Sequence, residues 1–462
     1  MPEPGPAEPV TAIETRSLGT GFRRRHVTML AISGAIGAGL FVGTGAGIKT
    51  AGPGILLSYV VAGLLMVLVM RMLGEMAAAE PSSGSFSVYA EKALGRWAGF
   101  TVGWLYWSLL VVVVAAEATA AAGIANGLLP QIPQWTWVLL FMAVLTVVNL
   151  FAVRSFGEFE FWFGAIKVTA VVGFLVLGTL AVFGILPGTS PVGLDNLTGH
   201  GGFLPNGLQG VLTGLLAVAF SFGGMELVTI AAAESDDPAD SIRRTTRTVI
   251  VRLLLFYVGS VALMVLLLPW ETASANTSPF VTILERIGVP SAALLMSFVV
   301  LTSLLSALNA NLYGASRMVF SLADRGEAPR AMLKLSSAGV PRTAVLASVA
   351  FGFVAVLLNF LAPEHVLPFL LNAIGANILL VWIFIAISQL KLRRAADRDG
   401  TAADLPVRMW GFPWLSWVAL IAMAGVLMLM WTDADARTQL FTSGAVAVLI
   451  VVIGLLRRHP RR

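Results

Sequence analysis

Ser33-Gly34-Ala35-Ile36-Gly37-Ala38-Gly39 interrupts the first apolar stretch of the chain, and Phe220-Ser221-Phe222-Gly223-Gly224-Met225-Glu226 interrupts another about 185 residues later. Hydrocarbon side chains flank both segments, yet their glycines disfavour a continuous helix. Lipid offers no hydrogen bonds, so such a segment persists only where protein or a bound solute satisfies the freed N–H and C=O groups. Interrupted spans at matching places in two halves of a chain point to the solute site of a secondary carrier.

The composition fits that setting. The 462 residues are 57% hydrophobic and only 12% charged, with a mean hydropathy of +0.85, values foreign to an ordinary soluble domain. The chain reads as a polytopic membrane protein, with the lipid bilayer as its surroundings. It has no cysteine, which excludes disulfides, thiolate-bound zinc, iron–sulfur clusters and S-acylation. His26, His200, His365 and His459 are far apart in sequence and give no metal-ligand spacing. No metal or organic cofactor is expected, and no obligate protein partner is evident. Residues 1–17 are rich in proline and acidic groups and are expected to form a disordered tail rather than a cleaved signal.

Apolar stretches long enough to cross ~30 Å of hydrocarbon occur at 27–48, 54–79, 98–128, 135–153, 161–187, 208–233, 249–269, 291–322, 343–361, 365–390, 414–432 and 439–456, twelve spans in all. Sorting the Lys and Arg residues by alternate loops leaves Lys49, Arg286 and Arg437 on one side and the others opposite. That asymmetry places both termini in the cytoplasm. It also accounts for the pI near 9.8 without nucleic acid, because the basic residues follow topology.

Span 1 then starts inside and span 6, five crossings later, starts outside. The expected fold is therefore all-α: a 5+5 inverted repeat over 18–190 and 191–395, with spans 1 and 6 discontinuous, followed by two further helices in 396–462. Close helix packing through Gly37, Gly39, Gly43 and Gly47 is the alternative for one glycine-rich span, but two breaks in pseudo-equivalent spans favour a site. A dinucleotide loop is excluded, since no strand precedes Gly37 and no acidic residue follows before Glu75.

Several motifs carry a family resemblance: Arg25-His-Val-Thr-Met-Leu-Ala-Ile-Ser-Gly-Ala-Ile-Gly-Ala-Gly-Leu-Phe-Val-Gly, Met70-Arg-Met-Leu-Gly-Glu-Met-Ala, Gly84-Ser-Phe-Ser-Val-Tyr-Ala-Glu-Lys-Ala-Leu-Gly-Arg-Trp-Ala-Gly, Gly157-Glu-Phe-Glu-Phe-Trp and Ala231-Ala-Ala-Glu-Ser-Asp-Asp-Pro. From Leu18 to about Leu456 the chain resembles bacterial amino acid permeases of the amino acid, polyamine and organocation superfamily. Within that group Trp104-Leu-Tyr-Trp, Gly202-Phe-Leu-Pro-Asn-Gly and Val228-Thr-Ile-Ala-Ala-Ala-Glu-Ser are most similar to the gamma-aminobutyrate permeases, although Ala307 stands where the resemblance leads one to expect cysteine. The resemblance implies a LeuT-like fold in a bacterial cytoplasmic membrane and proton-coupled amino acid import, with gamma-aminobutyrate as the first substrate to test. Proline, asparagine, aromatic and small neutral amino acids remain alternatives.

A zwitterionic amino acid needs N–H donors for its carboxylate and acceptors for its ammonium. Unwinding at Gly37-Ala38-Gly39 exposes donors at a helix start, where the dipole favours an anion. Carbonyls of Ala35, Ile36, Phe220, Ser221 and Gly223 are candidate acceptors, and glycine at 37 and 39 leaves the carboxylate room. The resemblance makes Phe220 an aromatic lid. It also turns the Lys167 amine toward span 1, where it replaces the sodium ion of related carriers; snorkelling to the surface is the competing role. Glu117, the only ionisable residue between Arg96 and Arg154, is expected to face the bundle interior and either pair with the substrate ammonium or relay the proton. Glu226 is a candidate for proton coupling, or simply complements the dipole of the helix it begins. Glu234 is assigned to the inner gate with Asp236 and Asp237. Asn309 shares a face with Tyr313 and is a candidate pocket residue, with interhelical hydrogen bonding as the alternative; Ser306, Asn311, Asn372 and Asn377 are judged alike. Arg71 and Glu75, four apart, are expected to form an intrahelical pair.

Two other functions compete. A non-transporting amino acid sensor would bind without flux, and a channel would need a continuous polar lumen rather than a broken-helix site. No nucleophile, base and oxyanion set suggests an enzyme.

Overall fold

The computed structural model describes residues 24–33, 36–82, 84–151, 153–233, 237–244, 253–274, 277–337, 339–432 and 434–457. The tail at 1–17, Ala35 and Glu234 lie outside these residues, as does the side chain of Phe220. Among the described residues the chain is helical without strands.

The first apolar stretch is built in pieces. Helix α1 (Arg24–Ser33) ends before the break, a π-helical turn (Gly39–Gly43) follows it, and α2 (Thr44–Ala51) continues from that turn. Gly52, at φ 62°, turns the chain, and a short 3-10 turn leads into α3 (Ile55–Ala79). Helix α4 (Ser85–Leu94) precedes three long apolar helices, α5 (Arg96–Leu128), α6 (Gln134–Phe151) and α7 (Val153–Val182). The second half repeats the interruption, since α8 (Gly207–Phe222) stops and α9 (Leu227–Ala233) restarts after four turn residues. Beyond it come a π-helical turn (Leu253–Val258), α10 (Gly259–Leu267), α11 (Pro279–Arg286), α12 (Pro290–Asp324), α13 (Arg342–Leu361), α14 (Pro363–Arg398), α15 (Trp414–Leu429) and α16 (Ala434–Leu456). Helix α14 runs through position 395 without a break.

Eight of these helical runs are long and apolar enough to cross a bilayer, and 134–150 and 255–267 form shorter apolar helices. Their outer faces carry the apolar surface a soluble protein would hide, including Ile421, Met428, Phe351 and Trp414. Helix α5 is the hub, packed against α4, α6, α12, α13, α14 and α16. An element enclosed on every side needs no polar face. Glu117, a carboxylate within this enclosed helix, therefore needs partners inside the protein.

Charge gathers at the two ends. At one end Lys49 Nζ donates to the Glu271 carbonyl at 2.5 Å, and His200 Nδ1 lies 3.0 Å from Glu271 Oε1. At the other end Arg25 pairs with Glu158, Arg325 Nη1 donates to Glu91 at 2.9 Å and Arg457 Nη1 donates to the Glu327 carbonyl at 2.7 Å.

The expected Arg71–Glu75 pair gives way to better partners. Glu75 accepts from Gln389 Nε2 at 2.8 Å, Arg393 Nη1 at 2.7 Å and the Met409 N–H at 2.5 Å. Arg71 instead donates to the Arg408 carbonyl at 2.8 Å and lies over the Trp410 ring. Glu75 is buried among α3 and α14, where several donors are needed to hold a carboxylate. Arg71 is half-exposed and can follow the chain entering α15.

Candidate functional site

The two interruptions meet. An ideal Cβ built on Gly39 would lie 2.4 Å from Ser221 Cα, a contact no side chain can make, so glycine here lets the π-helical turn touch the backbone of α8. Ser221 Oγ donates to the Gly39 carbonyl at 2.9 Å, and Thr44 Oγ1 donates to the Leu40 carbonyl at 2.8 Å. Tyr59 Oη joins the two hydroxyls, 2.7 Å from Thr44 Oγ1 and 3.3 Å from Ser221 Oγ. A π turn leaves the ordinary helical ladder; the Ser221 and Thr44 hydroxyls serve its carbonyls and the Tyr59 hydroxyl ties those two together.

At the first break Ile36 and Gly37 are non-helical and fully buried. The Gly37 carbonyl accepts from the Phe41 N–H at 3.1 Å, so it is engaged in starting the next turn. The first N–H groups of a restarted helix have no partner within it. Here the Ala38 N–H donates to Glu117, with Oε1 at 3.1 Å and Oε2 at 3.0 Å. A carboxylate of the protein thus holds one of the donors that the sequence offers to a substrate. A Cβ on Gly37 would be 2.5 Å from Glu117 Oε1 and 2.8 Å from Ala307 Cβ. The crowding at 37 comes from α5 and α12, and at 39 from α8.

The second break is a run of turns through Gly223–Glu226, with Gly224 at φ 89°, a conformation suited to glycine. Glu226 Oε2 accepts from the Gly224 N–H at 3.1 Å, and Oε1 accepts from Trp382 Nε1. Glu226 is completely buried. Its bonds fasten the break to α14, an arrangement that fits the structural role open to it from its place before α9.

Lys167 is also completely buried, so it does not snorkel. Its helix packs on α1: a Cβ on Gly164 would lie 2.5 Å from Ser33 Oγ, at the residue before the first break. The amine itself stands 3.9 Å from Glu160 Oε1 and has no hydrogen-bond partner among the described residues. Glu160 accepts from Ser306 Oγ, which is 2.8 Å from each carboxylate oxygen.

Asn309 is turned to α6, where its Oδ1 accepts from Asn149 Nδ2 at 2.6 Å. This is the interhelical bond weighed against a pocket role for it. Asn311 is the asparagine that α12 brings to the second break, since a Cβ on Gly224 would be 3.7 Å from its Oδ1. Glu160, Tyr59, Asn149 and Trp382 join the residues around the two breaks without standing out as site residues in the sequence. The one available signal was the spacing of Glu160, seven residues before Lys167 and hence on the same face.

The amino acid permease family model matches residues 26–459. Over 439 residues the chain is 49% identical to a gamma-aminobutyric acid permease of Bacillus subtilis, covering 95% of this chain and 93% of the relative. It is 48% identical to an aromatic amino acid transport protein of Corynebacterium glutamicum over 96% of both chains. A gamma-aminobutyric acid permease of Escherichia coli is 44% identical over 95% of this chain and 94% of its own. With a match running from the foot of α1 past the end of α16, the chain belongs to the amino acid permease family.

Proposed function

We propose that this protein imports gamma-aminobutyrate across the bacterial cytoplasmic membrane together with a proton. In this reading twelve spans form a LeuT-like inverted repeat with both termini in the cytoplasm, and one helical bundle rocks against the rest to alternate access. The observation that carries the proposal is the helix start at Ala38, whose N–H faces a buried carboxylate. A helix start at mid-depth in an apolar protein is a site for an anion, and the substrate supplies one.

The substrate carboxylate takes the N–H groups of Gly37, Ala38 and Gly39. Glu117 then leaves Ala38 and meets the substrate ammonium, which the carbonyls of Ile36, Phe220, Ser221 and Gly223 also receive. Lys167 carries the coupled proton, because an ammonium whose three N–H groups make no hydrogen bond among the described residues is costly to keep charged and buried. Ala35, Asn309, Glu226, Phe220 as lid and Glu234 as inner gate remain part of the proposed machinery. The choice of substrate rests on the names of the Bacillus subtilis and Escherichia coli relatives.

The test is uptake of labelled gamma-aminobutyrate by the purified protein in liposomes under an imposed pH gradient, with a panel of unlabelled amino acids as competitors. Concentrative uptake that collapses with the gradient supports the carrier. Binding without flux would establish a sensor. Aromatic substrates are the second reading, favoured by the 48% identity to the Corynebacterium glutamicum protein; uptake of labelled phenylalanine or tyrosine that unlabelled gamma-aminobutyrate does not compete would establish it.

A further inference from the structure

Glu160 and Lys167 are two helical turns apart on α7 and share one face. Their exposures are 2% and 0%. The lysine reaches back along the helix, as long helical side chains do, to within 3.9 Å of Glu160 Oε1. It makes no hydrogen bond there. On its other side Glu160 meets the hydroxyl of Ser306, which lies 2.8 Å from both oxygens but has one hydrogen to donate. Lone pairs of the carboxylate are thus left for the amine. Glu117, the other carboxylate of the cluster, has both oxygens on the Ala38 N–H.

We propose that Glu160 is the proton-exchange partner of Lys167, a positioning and relay residue that takes the coupled proton from the amine on its way to the cytoplasm. The inference rests on the coupling role proposed for Lys167. In the step, an N–H bond of the Lys167 ammonium breaks and an O–H bond forms on Glu160. The pair passes from ammonium and carboxylate to amine and carboxylic acid, with zero net charge before and after. A transfer that leaves net charge unchanged avoids creating an isolated ion in a medium of low dielectric constant. Glu160 then releases the proton toward the α7 end that begins at Val153, ~10 Å along the helix axis at ~1.5 Å per residue.

Among the described residues the charged surroundings are few. Helix α5 contributes Glu117, engaged with Ala38, and α1 contributes Arg25 and His26, both turned to Glu158. At the level of Glu160, α12 presents the neutral Ser306. Glu160 is thus the carboxylate placed to receive the proton while Glu117 serves the break.

The experiment uses the full chain in liposomes with labelled gamma-aminobutyrate. In Glu160→Gln, accumulation driven by a pH gradient should fall at least about tenfold, while counterflow at equal pH stays within about threefold of wild type. Glu160→Asp keeps the acid but withdraws it by one methylene, and its pH midpoint for uptake should move by at least about half a unit. Wild-type accumulation and an unchanged pH profile in Glu160→Gln overturn the inference. Equal loss of accumulation and counterflow, with the Asp variant's midpoint unmoved, overturns it too, because that pattern describes packing alone. If Glu160→Gln does not fold, the midpoints of Glu160→Asp and Ser306→Ala decide, and two unmoved midpoints overturn it. Wild-type uptake indifferent to the pH gradient would remove the coupling reading itself, an outcome distinct from gradient-driven uptake that ignores Glu160.

Discussion

The Ala38 N–H points at both carboxylate oxygens of Glu117, 3.1 and 3.0 Å away, across a gap of 79 residues in sequence. One helix start is thereby closed by a side chain from the central helix. An anion at such a position gains up to ~2 kcal/mol when partly buried, so a substrate carboxylate arriving here must compete with Glu117.

Glu117→Gln keeps an acceptor oxygen but removes the charge. On the proposed mechanism it weakens gamma-aminobutyrate binding at least about tenfold, because the ammonium loses its counter-charge. Butyrate, which has the carboxylate without the amine, should bind as well as before or better. Competition measurements with the two ligands check this; equal weakening of both would contradict the division of roles.

Gly39 and Gly123 offer a matched pair of substitutions. A Cβ on Gly39 meets the Ser221 backbone at 2.4 Å, whereas one on Gly123 has nothing within 4 Å. Gly39→Ala should therefore abolish uptake and lower stability by about 1–3 kcal/mol, the usual cost of overpacking. Gly123→Ala should leave both near wild type. Thermal melting in detergent together with uptake in liposomes tests the contrast, and normal uptake by Gly39→Ala would show that α8 can withdraw from the first break.

Much of this site was legible before any coordinates. Hydropathy exposes long apolar stretches, and glycine clusters inside them mark where a ladder of hydrogen bonds cannot continue, so both breaks could be placed. The facing of side chains was hidden for a physical reason. Helix α5 is apolar and enclosed on nearly every side, so no polar stripe shows which way Glu117 points. Asn309 and Asn311 are two residues apart and look equally suitable, but point in different directions around the axis. Glu75 illustrates the other limit: its neighbour at helical spacing is Arg71, but its partner Arg393 is 318 positions distant. The π turn at Gly39–Gly43 likewise depends on the hydroxyls of Thr44, Ser221 and Tyr59 meeting there.

Arg393→Ala should be among the most destabilising changes outside the candidate site. Glu75 is only 3% exposed and would keep Gln389 and the Met409 N–H while losing its counter-charge. Breaking a buried ion pair from one side costs about 3–5 kcal/mol. Adding Glu75→Gln to that variant should recover part of the loss, since the amide carries no charge to strand. Melting temperatures of the two single variants and the double variant decide it; strictly additive losses would count against the pairing.

Stability should also depend on pH through Glu327, in the segment following α12. Burial pushes its carboxyl up to about 7 from an ordinary 4.5, against the opposing pull of Arg325, whose Nη2 is 3.4 Å away. Between those values the folded protein holds a proton on Glu327 that the unfolded chain has released. The unfolded state therefore binds fewer protons, and stability falls as pH rises through this window. The contribution is intact below the lower value, lost by the upper one and level beyond it. Melting the wild type and Glu327→Gln at about pH 5 and about pH 8 isolates the effect. The wild type should lose more of its melting temperature on going to the higher pH, because the amide cannot titrate. Equal losses in the two proteins would assign the pH dependence to other groups.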